Sequence, residues 1–221
     1  MAQQQAISTA SSNVLRIDNQ RLSSLIRSSI LLLSTVVLFG ASLSAARPGV
    51  ASEPQVSTKK RTYEINGSTA AELREQMQRL GPKDKAGIQR YAYTGWYVRW
   101  TFNCERSAGA FRLASYTAAV TIDFTLPKWN SPADADNDLR TKWDAFSRAL
   151  QTHEDGHRDI GVQAGKAVLA AFRSLPDSPT CESLYSSANA AGQRIVQEFR
   201  QKETVYDRET GNGVTQGVRL Q

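Results

Sequence analysis

The chain has two histidines in 221 residues, and both lie in the segment His153-Glu154-Asp155-Gly156-His157. Residues four apart stand one turn apart on the same face of a helix, so both imidazoles can reach one tetrahedral ion. Glu154 is turned by about 100° from His153, away from the ion and toward a water beside it. This is the HExxH arrangement of zinc peptidases. A random match in a chain of this composition has a probability of roughly one in a hundred. The competing reading is two histidines on the packed side of a helix, satisfied by backbone groups.

The expected chemistry is hydrolysis of a peptide bond. One Zn²⁺ ion lowers the pKa of a water toward neutrality. Glu154 then acts as general base and returns the proton to the leaving amine. Catalytic zinc commonly takes three protein ligands. No third histidine remains, so the third ligand is expected to be a carboxylate. Asp207 is the first choice among Asp207, Glu203, Glu198 and Glu182, all of which follow the motif. Gly156 costs a helix about 1 kcal/mol against alanine, which points to a close approach by substrate or backbone, or to tight packing.

The motif sits in the strongest helical pattern of the chain. Leu139, Trp143, Phe146, Leu150, His153, His157, Ile160, Ala164 and Val168 recur at three and four from about Asp136 onward. Pro176 and Pro179 flank the end of this helix. A last helix carries Leu184, Ala188, Ala191, Ile195 and Phe199, and from Thr204 the tail reads as polar and irregular. Upstream, Thr69 and Glu72 form a capping box before Leu73, Met77 and Leu80, and Gly81-Pro82 ends that short helix. Residues 91–103 read as a strand or hairpin. From Tyr116 to Leu126, Ala118, Val120, Ile122 and Phe124 alternate with Ala119, Thr121, Asp123 and Thr125, the pattern of a half-buried antiparallel strand closed by Pro127. That strand is expected in the core, although strand addition by an extended substrate is an alternative use for it. Trp96, Trp100, Trp129 and Trp143 are expected in the core as well. The resulting fold class is α+β: a small antiparallel sheet packed against a long motif-bearing helix and a second C-terminal helix.

The net charge of +6 is too mild and too dispersed for a nucleic-acid interface: four basic residues and one acid fall in the first 51 residues, leaving +3 for the remainder. No glycine-rich phosphate loop is present. Ser28 to Ala46 carries no charge, follows Arg21 and Arg27, and is apolar from Ile30 to Phe39. This is the pattern of an export signal with cleavage after Ala46 or Ala51, the rival reading being an uncleaved anchor. Residues 1–51 are therefore assigned to signal or anchor, with a linker to about residue 60, and 61–221 to the domain. The expected location is periplasmic or secreted. In that compartment Cys104 and Cys181 form a disulfide.

These features together resemble a family of bacterial secreted proteins classed as predicted Zn-dependent proteases. The resemblance covers about residues 62–218. It rests on Tyr93 to Trp100, Leu126-Pro127-Lys128-Trp129, Trp143 leading into His153-Glu154-Asp155-Gly156-His157, both cysteines, and Tyr206-Asp207-Arg208-Glu209-Thr210. It implies a zincin-like metallopeptidase with protein or peptide substrates, the alternative being a non-catalytic zinc-binding or substrate-holding protein of the cell envelope. Tyr206 and Asn212 are candidates to support an oxyanion or a ligand. In that family the tail typically continues Thr-x-His-Gly, whereas here Asn212 takes the place of the histidine. The resemblance then implies metal binding that is weak or that runs through Asp207.

Overall fold

The computed structural model describes residues 49–84 and 86–221. The signal or anchor segment up to residue 48 lies outside them. Among the described residues no helix is long and apolar enough to cross a membrane.

The element order is β1 (Gln55–Ile65), α1 (Ala70–Leu80), β2 (Tyr93–Ser107), β3 (Ala110–Trp129), α2 (Asn137–Arg173) and α3 (Cys181–Thr210), followed by a single 3₁₀ turn at Val214–Gln216. The class is α+β as expected, but the sheet is mixed. Its order is β1-β3-β2, with β1 parallel to β3 and β2 antiparallel to it. The short strand expected at residues 62–65 is the end of β1, which begins at Gln55, inside the expected linker. Lys59, Lys60 and Arg61 disguise it, because β1 is an edge strand exposed along most of its length. Charges on an edge block further pairing and remove the apolar alternation by which strands are recognised. A parallel pair needs a crossover, and α1 with β2 supplies it.

Strands β2 and β3 form a hairpin through Ala108 and Gly109, both at positive φ (50° and 89°), as a two-residue turn of this hand requires. Pro127 does not end β3. Strand β2 begins opposite Thr125, so beyond Leu126 only β1 pairs with β3 and a residue without an N–H is tolerated. Over residues 119–125 strand β3 is paired on both sides and leaves no free edge for an incoming peptide. Ala118, Val120, Ile122, Phe124 and Leu126 are buried, which settles its role as the core strand.

Helix α2 lies across the buried face of the sheet. Asp136 caps it by accepting from the Asp138 N–H. Gly161 and Gly165 bring it close: a Cβ on Gly161 would stand 2.6 Å from Trp96 Cγ, and one on Gly165 2.5 Å from Val120 Cγ2. Trp143 and Trp96 are buried, Trp100 packs edge-on against Phe172, and Trp129 packs edge-on against Trp143. Thr69 caps α1 as expected by accepting from the Glu72 N–H, while the Glu72 carboxylate reaches one residue beyond the cap and accepts from the Ser68 N–H.

Helix α3 starts at the Thr180 cap and folds back along α2. It continues to Thr210 and ends at Gly211 in the left-handed conformation (φ 58°), so residues 204–210 are helix rather than irregular tail. Their polar character reflects what they face, which is the site described below.

Cys104 on β2 and Cys181 at the start of α3 are paired, their Cα atoms 5.9 Å apart. The loop they close spans 77 residues. Reduction should lower the unfolding free energy by about 4 kcal/mol in the chain-entropy model. Denaturant titration with and without reductant measures this; coincident curves would mean that the pair is not bonded in the folded protein.

Candidate metal centre

Three turns of chain converge on one point. His153 and His157, one turn apart on α2, are buried, with 4% and 7% of their surface exposed. Their Nε2 atoms stand 3.3 Å apart. Asp207, from the last turns of α3, places Oδ1 3.3 Å from His153 Nε2 and 3.0 Å from His157 Nε2. These three residues form a group able to hold a metal ion.

The far side of each ring decides which nitrogen carries a proton. Tyr206 Oη donates to the His153 carbonyl at 3.1 Å, and Gln216 Nε2 donates to Tyr206 Oη at 3.0 Å. The Gln216 oxygen is thereby turned to His153 Nδ1, 2.9 Å away, so Nδ1 donates and Nε2 keeps its lone pair. His157 Nδ1 faces Glu203 Oε1 at a long 3.5 Å. An ionised carboxylate only accepts, so its nearness favours the tautomer with the hydrogen on Nδ1, although no hydrogen bond is closed there. In these neutral tautomers two imidazole nitrogens and a carboxylate oxygen face one another, a set that accepts either a proton or a cation. Such a set calls for positive charge, and a neutral imidazole whose outer nitrogen is held by an acceptor, as His153 Nδ1 is by Gln216, is the form in which histidine binds metal.

The electrostatics agree. Burial alone would raise the Asp207 carboxyl, but hydrogen bonds to His153 and His157 hold it well below the usual carboxylate range. Burial would lower His157, yet its contacts with Asp207 and Glu203 outweigh that and push it up to about 9. Without a cation, a proton on His157 supplies the charge that this cluster demands.

Glu203 is held in turn. Trp96 Nε1 donates to its Oε1 at 3.1 Å and Arg200 Nη1 to its Oε2 at 2.9 Å, while the Arg200 guanidinium lies 3.5 Å from the Trp96 ring centroid. Glu203 therefore backs His157 and does not join the ligand set. Glu198 pairs with Lys202 on the surface, and Glu182 is exposed at the first turn of α3, so neither reaches the site.

Glu154 is buried but stands apart from the three converging atoms. Thr94 Oγ1 donates to its Oε2 at 2.6 Å. Burial pushes its carboxyl above the ordinary range, against the Thr94 hydrogen bond and the two imidazoles. Glu154, His153, His157 and Asp207 all line one cavity of about 620 Å³.

Tyr206 does not line that cavity. Its ring stacks on His153 at 5.1 Å between centroids and 11° between planes, and its hydroxyl is spent on the α2 backbone. It positions His153 and is not placed to meet an oxyanion. Asn212 does line the cavity, but its Oδ1 accepts from Arg90 Nη1 at 3.0 Å. Gly156 owes its place to Tyr206: a Cβ there would overlap the Tyr206 hydroxyl. Packing, rather than substrate approach, explains this glycine. Gly156→Ala should destabilise by roughly 1–3 kcal/mol despite the better helix propensity, because α3 must move outward. Thermal unfolding checks this, and a stabilised variant would exclude the contact.

Thr94, Gln216 and Arg200 escaped the sequence reading. Thr94 left one signal, a hydroxyl on the inward side of β2 in line with Trp96 and Val98. Gln216 left none, since its role depends on how the chain turns after Gly211.

No curated protein and no solved structure matches the chain. One family model does, over residues 60–213, a span that runs from β1 to the turn beyond α3 and takes in every residue of the centre except Gln216. On that match the chain belongs to the family described as bacterial protein of unknown function (DUF922).

Proposed function

We propose that the protein is an exported zinc-dependent peptidase of the HExxH type, acting on protein or peptide substrates outside the cytoplasm. The observation that carries this reading is the convergence of His153 Nε2, His157 Nε2 and Asp207 Oδ1 within 3.3 Å, beside Glu154 and open to the same cavity. Two nitrogens and one carboxylate oxygen, with room on the cavity side for a further ligand, suit a catalytic zinc site. A Zn²⁺ ion held there supplies Lewis acidity, polarising a substrate carbonyl and making a water acidic near neutral pH.

The chain's own residues do the rest. Thr94 occupies Glu154 Oε2 and leaves Oε1 to take the proton of the attacking water. Burial makes Glu154 a better proton acceptor than a surface carboxylate, so it can hold that proton and hand it to the leaving amine. Gln216 fixes the His153 ring from behind, and Glu203 faces the His157 ring at 3.5 Å. Tyr206 keeps α2 and α3 at the spacing that lets Asp207 meet both. Export is supported by the charged flank and apolar run of residues 21–46 and by the paired cysteines.

The test is metal content together with cleavage. Protein purified without chelators should hold one equivalent of zinc by elemental analysis and should cleave a denatured protein substrate in a zinc-dependent way. Absence of zinc after reconstitution would overturn the metal assignment. Stoichiometric zinc without any cleavage would instead indicate a binding protein.

A further inference from the structure

Five large apolar side chains are exposed among the described residues, and two of them, Ile88 (53%) and Val214 (37%), line the cavity of the metal centre. They come from separate parts of the chain, the loop between α1 and β2 and the turn after α3. Neither is exposed through looseness. The Ile88 N–H donates to Asp84 Oδ1 and its carbonyl accepts from the Asp84 N–H, both at 2.9 Å. Gly87, at φ 81°, makes the turn that lets Asp84 grip Ile88 from both sides. The Val214 N–H donates to the Gly211 carbonyl, and its own carbonyl accepts from Gly217. The two segments are tied to each other by Arg90, which donates from Nη1 to Asn212 Oδ1 at 3.0 Å and from Nε to Asp84 Oδ2 at 2.9 Å.

An apolar side chain whose backbone is held rigidly, yet which is left facing water in a cavity, is arranged to be covered by something else. The same cavity is lined by His153, His157 and Asp207, so a molecule that fills it meets both the three converging atoms and these two side chains. We propose that Ile88 and Val214 are the specificity-determining residues of this site and select a peptide bearing an apolar side chain close to the reacting carbonyl. The inference rests on the zinc peptidase reading and adds the substrate class to it. Arg90 serves as the clasp that keeps the two apolar walls in place, with Asp84 neutralising its charge at 2.9 Å.

Two dipeptide hydroxamates that differ only in a leucine or an aspartate side chain test this by calorimetric binding to the zinc-loaded full chain. The leucine compound should bind at least about tenfold more tightly, since a few methylenes in an apolar pocket are worth that much. Ile88→Asp, a change at an exposed position, should lower binding of the leucine compound by about tenfold without loss of zinc. Val214→Asp provides a second variant if the first folds poorly. Equal affinities for the two compounds, or a preference unmoved in both variants, would overturn the inference while leaving the zinc reading intact. A chain that takes up no zinc would defeat both, and elemental analysis separates that result from the others.

Discussion

Glu154→Gln should leave the zinc in place and reduce cleavage by about 10²- to 10⁴-fold, the range expected when a positioned general base is removed. The side chain is nearly isosteric and keeps an oxygen for Thr94, whose hydroxyl donates to Oε2 at 2.6 Å. It stands outside the three converging atoms, so the ligand set is untouched. What it loses is the ability to accept a proton from water. The loss should fall on kcat rather than KM, because the proton moves only in the transition state. A variant that cleaves as well as the wild type would assign the activity to another group or to a contaminant. A variant that loses zinc as well would mean that Glu154 supports the ligands and is not the base. The raised pKa of Glu154 sharpens the contrast, since a surface carboxylate would be a weaker base to lose.

The parts of the molecule that the sequence made legible share a physical origin. Where one side of an element meets the core and the other meets water, periodicity survives. Ala118, Val120, Ile122 and Phe124 declared β3 by alternation, and Leu139 to Val168 declared α2 by the helical period. His153 and His157 were legible because two side chains that meet at one point from a single helix have a fixed spacing. Asp207 was a preferred choice among acids, and the fold of α3 back along α2 brings it to both rings. The parts that were not legible lack an apolar side. Strand β1 is an exposed edge of which only residues 62–65 read as strand while residues 55–60 read as linker, so its full length and its parallel pairing with β3 were invisible. The end of α3 turns Glu203, Tyr206 and Asp207 toward a polar site instead of a core, so its helical period disappears from a hydrophobicity pattern. Gln216 reaches His153 across 63 residues and Thr94 reaches Glu154 across 60, and no local rule encodes those contacts. A site built by long-range contacts is legible only in the residues that share an element.

Asp207→Ala should weaken zinc binding by roughly a thousandfold. Structural zinc sites hold their ion with about 10–16 kcal/mol, so a site with three protein ligands and one position open to solvent loses on the order of 3–4 kcal/mol with each ligand. Asp207 is the one acidic residue that meets both Nε2 atoms, at 3.3 and 3.0 Å. Its removal takes away the anionic oxygen of the cluster and leaves two neutral imidazole nitrogens, 3.3 Å apart, to hold the ion. The variant should fold, because Asp207 is partly exposed and packs nothing that the core needs. Competition with a chromogenic chelator reads the affinity. Asp207→Asn separates charge from geometry: it retains one oxygen at the same reach, so it should bind zinc more weakly than wild type but more tightly than the alanine variant. Unchanged affinity in Asp207→Ala would remove Asp207 from the ligand set. Glu203 would then be the carboxylate to examine, since it already faces His157 from the other side at 3.5 Å. Its oxygens are occupied by Trp96 and Arg200, so joining the ion would require breaking both contacts, which makes Asp207 the assignment with nothing to undo.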